Sequence, residues 1–406
     1  MAVGPGRKVS IIPIEGIRLA AVKSHIRYAN RLDLVLVEIA EGSTTAGVFT
    51  QNAFCAAPVR LARERVKNTA SRYFLINTGN ANAGTGAEGE LAAVACCDGL
   101  AEIAQTSSRQ VVPFSTGVIG EQLPFEKILV ALPMLYEALS ADAWQSAAQG
   151  ILTTDTRPKL ASTSFTTANG SQANISGFAK GSGMIRPNMA TLLAYVFADA
   201  QIETPLLENF LDSAVNNSFN RITVDGDTST NDCCMLVATG KGSLVITEAD
   251  SEAARQFQSE LNAVFEQLAT DLIRDAEGAS KFITIEVNEG ASEQECLAVA
   301  YTVAESPLVK TAFFASDPNW GRILAAIGRA GLSDLDIESV TVALGDTLLV
   351  SKGAVDAAYS ERAGQSEMDK DEIRVQINLG RGKARTRVWT SDLSSEYVRI
   401  NADYRS

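Results

Sequence analysis

The chain has 406 residues, a length of two or three domains or of one large domain with additions, and its 46% apolar and 20% charged residues are an ordinary composition for a soluble globular protein. A net charge of −13 argues against nucleic acid as a partner. No run of about 18 uncharged apolar residues occurs, and the N-terminus lacks an apolar core followed by a small-residue cleavage site, so neither a membrane span nor a secretory signal is expected and the chain is assigned to the cytoplasm.

In chain order, "LDLVLVEIA" and "TTAGVFT" are short β-branched runs that predict strands. "RYFLINTGNANAGTG" reads as a strand entering a polar glycine loop, and "GELAAVACCDGLAEIAQ" follows with helical spacing. Strand, loop and helix in that order is an α/β signal. "VVPFSTGVIGEQLP" is a further strand with a polar turn, followed by helical patterns in "EKILVALPMLYEALS" and "ADAWQSAAQGIL". "TLLAYVFADA" reads as a buried strand, and "PLLENFLDSAVNNSFN" as a helix with Pro205 in its first turn. "CCMLVATG" is a strand after the polar loop "TVDGDTSTND". A long amphipathic helix, "SEAARQFQSELNAVFEQLATDLIRDAEGA", leads into the strand "KFITIEV", and "SDPNWGRILAAIGRAG" opens another helix after a turn. The tail from Asp371 to Ser406 alternates like paired strands.

Residue types narrow the chemistry. The six cysteines, two adjacent pairs and two singles, make no spaced zinc pattern and are read as reduced core thiols. His25 is the only histidine, so any Ser-His or Cys-His machinery would have to run through it, and a multi-histidine metal site is impossible. Its surroundings favour a surface or packing role. If the protein uses a nucleophile, its base is expected not to be imidazole.

The stretch "KGSGMIRPNMATLLAY", residues 180–195, is unusual. As a phosphate loop it fails, because Lys180 precedes the glycines and a strand follows where a helix is required. As a self-cleavage site it is chemically consistent. A threonine freed at its amide acquires an α-amine with a pKa near 7.7–8.0, able to serve as base for its own hydroxyl. Gly181, Gly183, Pro187 and Asn188 permit unusual backbone geometry, and small Ala190 leaves room for attack. An inert loop entering a strand explains the same residues equally well. The charge changes sign here too: residues 1–190 carry 17 basic and 14 acidic side chains, the remainder 18 and 34.

The same stretch closely resembles the cleavage signature of the ornithine acetyltransferase family, glutamate N-acetyltransferases of arginine biosynthesis. "GVFTQN", "INTGNANAGTG", "STGVIGE", "TTDTRPK", "ITVDGDTSTND", "EGASKFITIEV", "SDPNWGRI" and "YVRINADYRS" match in order along almost the whole chain. The resemblance implies an α/β fold: a layered sandwich of the ornithine acetyltransferase/N-terminal-nucleophile aminopeptidase type, with mixed sheets covered by helices. It implies autoproteolysis between Ala190 and Thr191 into pieces of 190 and 216 residues, residues 1–190 and 191–406. Thr191 would then be the acyl-carrying nucleophile, and Thr116 and Gly117 of "STG" the oxyanion hole. Thr154, Lys180, Thr191, Glu277, Asn401 and Ser406 would line the amino-acid pocket, with Ser406 where the family often ends in threonine. No metal and no bound cofactor are implied. Some members take acetyl groups from acetyl-CoA as co-substrate and others do not. Substrates would be N-acetylornithine and glutamate, and the cleaved pieces would assemble as an (αβ)2 heterotetramer. The rival enzyme reading is a self-processing aminopeptidase or amidase that passes its acyl group to water.

Overall fold

The run Leu193–Ala198 is buried along its whole length, and so is Cys233–Ala238. Strands covered on both faces read as unbroken apolar runs rather than as alternations. These two lie side by side and parallel at the centre of a five-stranded sheet. The computed structural model describes residues 2–186, 192–332 and 334–403. Its internal contacts divide the chain into two units, the larger made of Arg7–Asn220 and Thr228–Leu272.

In the larger unit, the five-stranded sheet runs Thr44–Phe49, Cys233–Ala238, Leu193–Ala198, Gln172–Lys180, Lys159–Thr166. A four-stranded sheet runs Ile17–Val22, Leu34–Ile39, Tyr73–Asn80, Val111–Val118. Its last two strands are parallel, and the crossover between them contains the helix Gly86–Ala104. Val111–Val118 is an edge strand, where Pro113 removes no ladder bond that the sheet needs.

The two sheets meet through aromatic rings. Tyr195 lies 5.3 Å from Phe114, 5.4 Å from Phe178 and 6.0 Å from Phe74, between ring centroids. Trp144, from the short helix Trp144–Gly150, inserts against Phe178 and Phe197. The outer face of the four-stranded sheet is covered by Gly86–Ala104 and Phe125–Glu137 through Cys96, Cys97, Leu100, Leu132 and Leu135. The helix Glu252–Arg274 lies along Lys159–Thr166, where Glu260 accepts from the Thr163 hydroxyl and Phe257 meets Phe165. Helix, sheet, sheet, helix is the layered α/β sandwich that the sequence led us to expect.

The smaller unit comprises the first six residues, Arg221–Asp227 and Ile273–Ser406. Its six-stranded mixed sheet runs Ala354–Val355, Thr347–Ser351, Thr341–Leu344, Glu372–Asn378, Phe282–Gly290, Ala384–Ser391. Helices Glu293–Ala304, Pro307–Phe314 and Trp320–Gly328 supply Val299, Val303, Phe313 and Ile327 to its core. The tail departs from the sequence expectation twice. Its two strands do not pair with each other, because Phe282–Gly290 lies between them. Its last described element is a helix, Ser395–Ala402, whose N-cap Ser394 accepts from the Tyr397 N–H.

Phe178 is fully buried between the sheets. Phe178→Ala should lower stability by about 3–5 kcal/mol in urea unfolding. A loss below about 1 kcal/mol would show that this ring cluster does not hold the sandwich together.

Candidate active site

The parallel strands Tyr73–Asn80 and Val111–Val118 bring two glycines level, Gly79 and Gly117. Gly117 has φ +137°, and a Cβ there would stand 2.3 Å from the Gly79 carbonyl carbon and 2.5 Å from the Asn80 nitrogen. Only glycine allows so close an approach. Thr116, immediately before it, is buried.

Lys180 ends the strand Gln172–Lys180 and pairs with Leu193 across the antiparallel ladder. The chain therefore leaves the sheet at Lys180 and re-enters it at the neighbouring position. The Lys180 ammonium donates to Thr116 Oγ1 at 3.1 Å and to Thr153 Oγ1 at 2.9 Å. An ammonium has only donors, so both hydroxyl oxygens must accept. The Thr116 hydroxyl proton is thereby left to donate elsewhere.

Asp155 holds this arrangement. Its Oδ1 accepts from the Gly181 N–H at 2.8 Å and from the Lys159 ammonium at 2.5 Å, and its Oδ2 accepts from the Thr153 N–H at 3.1 Å. Both charged side chains are out of solvent, at 1% and 0% exposure. Burial alone would raise the Asp155 carboxyl. Lys159, then Lys180, and the Gly181 hydrogen bond reverse this and hold it well below the usual carboxylate range. Thr153 and Asp155 were not among the expected site residues. Thr154, which was, lies between them and is half-buried.

In the smaller unit, Asn401 Nδ2 donates to Glu277 Oε2 at 2.7 Å and to the Tyr397 carbonyl at 3.0 Å. Glu277 is 6% exposed. Ser394 donates to the Gly278 carbonyl, and the Tyr397 hydroxyl donates to Asp225 Oδ2 at 3.1 Å. Burial, then Asp225, pushes that phenol up, so it stays a donor. The helix carrying Asn401 is thus tied to the Glu277–Gly278 turn.

Thr116, Gly117 and Lys180 belong together in the larger unit, and Glu277 and Asn401 in the smaller. Ala190, Thr191 and Ser406 lie outside the described residues. His25 is exposed, and its carbonyl accepts from Lys127. All six cysteines are free thiols. Burial pushes Cys97 up to about 11 even with Arg65 beside it, which is the opposite of an activated nucleophile. Among the described residues no helix is long and apolar enough to cross a membrane.

A profile of the ArgJ family matches residues 18–406. The chain is 52% identical over 407 aligned positions to the arginine biosynthesis bifunctional protein ArgJ of Pseudomonas fluorescens, covering 100% of each. It is 54% identical over 398 positions to the protein of the same name from Methylococcus capsulatus, covering 98% of this chain and 97% of that one. Among solved structures, the arginine biosynthesis bifunctional protein ArgJ of Bacillus halodurans is similar at 36% identity and a TM-score of 0.48, over 52% of this chain and 97% of that one.

Asp155→Asn leaves the buried Lys159 ammonium without its charge partner and should destabilise the protein by about 3–5 kcal/mol. The sign with pH follows from the lowered carboxyl. Its contribution is complete above the unfolded aspartate value of about 3.9 and is lost as pH falls below it. Acid unfolding of the wild type should steepen in that window, and the Asp155→Asn profile should be flatter there. Superimposable profiles would remove Asp155 from the account.

Proposed function

Because the chain belongs to the ArgJ family, we propose that it is a self-cleaving acyltransferase that moves an acetyl group from N2-acetylornithine to glutamate. The observation that carries the reading is the Lys180–Thr116–Gly117 arrangement, placed where the chain enters and leaves the "KGSGMIRPNMAT" segment. The Thr191 hydroxyl opens the Ala190–Thr191 bond, and the ester formed is released by water. The Thr191 α-amine then takes the proton of its own hydroxyl as that oxygen attacks the acetyl carbonyl. Thr116 Oγ1, already accepting from Lys180, points its proton at the developing oxyanion, and the Gly117 N–H supplies the second donor. Ornithine leaves, and glutamate takes the acetyl group from the acetyl-threonine.

Lys180 suits the substrate α-carboxylate, with Thr153 and Thr154 beside it. Glu277 suits the ornithine ammonium, with Asn401 fixing one of its oxygens. Ser406 would complete the pocket. The word "bifunctional" in the relatives' names supports acetyl-CoA as a second acetyl donor. We place the protein in the cytoplasm, as an assembly of two αβ pairs built from the cleaved pieces.

Thr191→Ala should remain one chain of 406 residues and release no ornithine. A Thr191→Ala protein that still splits would defeat the proposal. Ornithine release from N-acetylornithine should require glutamate. Equal release into water alone would favour the aminopeptidase or amidase chemistry instead. Gly117→Ala should lower kcat by at least about 10²-fold, since the added carbon displaces an oxyanion donor.

A further inference from the structure

The motif "GVFTQN", residues 47–52, has no part in the site described above. It forms a wall of an open groove of about 740 Å³, within the range of small-molecule sites. The helix Ala57–Asn68 supplies Arg63 and Lys67 to the same groove, four residues apart and so on one helix face. Arg63 is anchored twice. Its Nη2 donates to the Thr50 carbonyl at 2.9 Å, and its guanidinium lies 5.8 Å from the centre of the Phe49 ring. Neither Arg63 nor Lys67 has a carboxylate partner among the described residues, and Glu208 is the one acidic residue in the lining. In a chain of net charge −13, such a groove is suited to an anion.

The groove adjoins the larger unit's site. Asn52 Nδ2, in its wall, donates to the Thr228 carbonyl at 2.8 Å, and the Thr228 hydroxyl donates to the Arg186 carbonyl at 3.1 Å. The Thr50 N–H donates to the Asp232 carbonyl at 2.9 Å, and the Ala56 N–H to the Thr230 carbonyl at 2.9 Å. Between these, Asn231 Nδ2 donates to the Ser115 carbonyl at 2.8 Å, next to Thr116. The short loop 228–232 is thus bonded to the groove wall on one side and to the neighbours of Thr116 and Lys180 on the other. Phe54, between the lining residues Ala53 and Cys55, is 67% exposed and leaves an aromatic face open at the rim. Cys55 is the one thiol of the six that is not buried.

We propose that this groove holds the nucleotide end of acetyl-CoA. This rests on the reading that acetyl-CoA is a second acetyl donor, and it names where that donor binds. The nucleotide of CoA carries a 3′-phosphate and a diphosphate on an adenosine. Arg63 offers a planar fork of donors that matches a phosphate, and Lys67, one turn further, adds a point charge. The adenine stacks on the Phe54 ring, which suits any base. The flexible pantetheine arm then carries the thioester past the loop 228–232 towards Thr116. N-acetylornithine has no phosphate and no base, so the groove serves one donor and not the other.

The test measures N-acetylglutamate formed by the whole protein from different donors, with glutamate as acceptor throughout. A wild type that makes none from acetyl-CoA overturns the donor reading and the groove together; the remaining arms address the groove alone. Lys67 is exposed, and its ammonium has no partner among the described residues, so its charge can be reversed without breaking a contact. Lys67→Glu should raise the KM for acetyl-CoA by about tenfold or more, the loss of one charge-assisted contact, while the KM for N-acetylornithine stays where it is. With S-acetylpantetheine, which lacks the nucleotide, wild type and variant should behave alike. An unchanged KM for acetyl-CoA in both Lys67→Glu and Arg63→Ala overturns the groove, and so does an equal rise with S-acetylpantetheine. Binding is read separately at Cys55. Its alkylation by iodoacetamide, followed by mass, should be lost as adenosine 3′,5′-bisphosphate saturates the protein, and should persist with N-acetylornithine. Unslowed alkylation in a protein that uses acetyl-CoA also overturns the groove.

Discussion

The buried Asp155–Lys159 pair is the constraint on which the rest of this site depends. One carboxylate, out of contact with water, accepts from Lys159, from the Gly181 N–H and from the Thr153 N–H. It thereby fixes the point where the chain leaves the sheet against the turn that carries Thr153. Lys180 lies beside those two anchors, with its ammonium on the hydroxyls of Thr116 and Thr153. An ion pair without solvent is a poor source of net stability, because desolvation offsets the attraction. Here its use is geometric. It sets the position of a cation whose charge must face two hydroxyls and, in the proposed reaction, a substrate carboxylate.

The sheets also explain how a chain opened at residue 190 would stay in one piece. Gln172–Lys180 and Thr44–Phe49 precede that position, and Leu193–Ala198 and Cys233–Ala238 follow it. In the five-stranded sheet these strands are hydrogen-bonded neighbours, so each half of the chain closes the other's ladder. Tyr195 of the second half lies against Phe74, Phe114 and Phe178 of the first. Breaking one peptide bond removes none of these contacts.

Most of the fold was legible in the sequence, for identifiable reasons. "LLAYVF" and "CCMLVA" read as strands because both faces are buried, and the long helix showed its 3.6-residue period. The tail misled because "SEYVRINA" alternates well enough to pass for a strand, and only the cap formed by Ser394 decides for helix. Within the site, Thr153 and Thr154 are the same residue type at adjacent positions, and composition cannot say which faces Lys180. Asp155 left a signal, the Asp–Lys spacing of four in "TTDTRPK", but pattern alone does not reveal that the pair is dry. The need for glycine at 117 arises from the backbone of Gly79 and Asn80, some forty residues away in the chain, so it was accessible only by family resemblance.

The central claim is that residue 191 carries the acetyl group between donor and acceptor. The direct measurement is a mass map of the protein incubated with N-acetylornithine and no glutamate. The account predicts one acetyl group on the 191–406 piece, located at Thr191 and lost when glutamate is added. An acetyl group on the 1–190 piece, or glutamate-dependent turnover with no acetylated protein at any time, would contradict it.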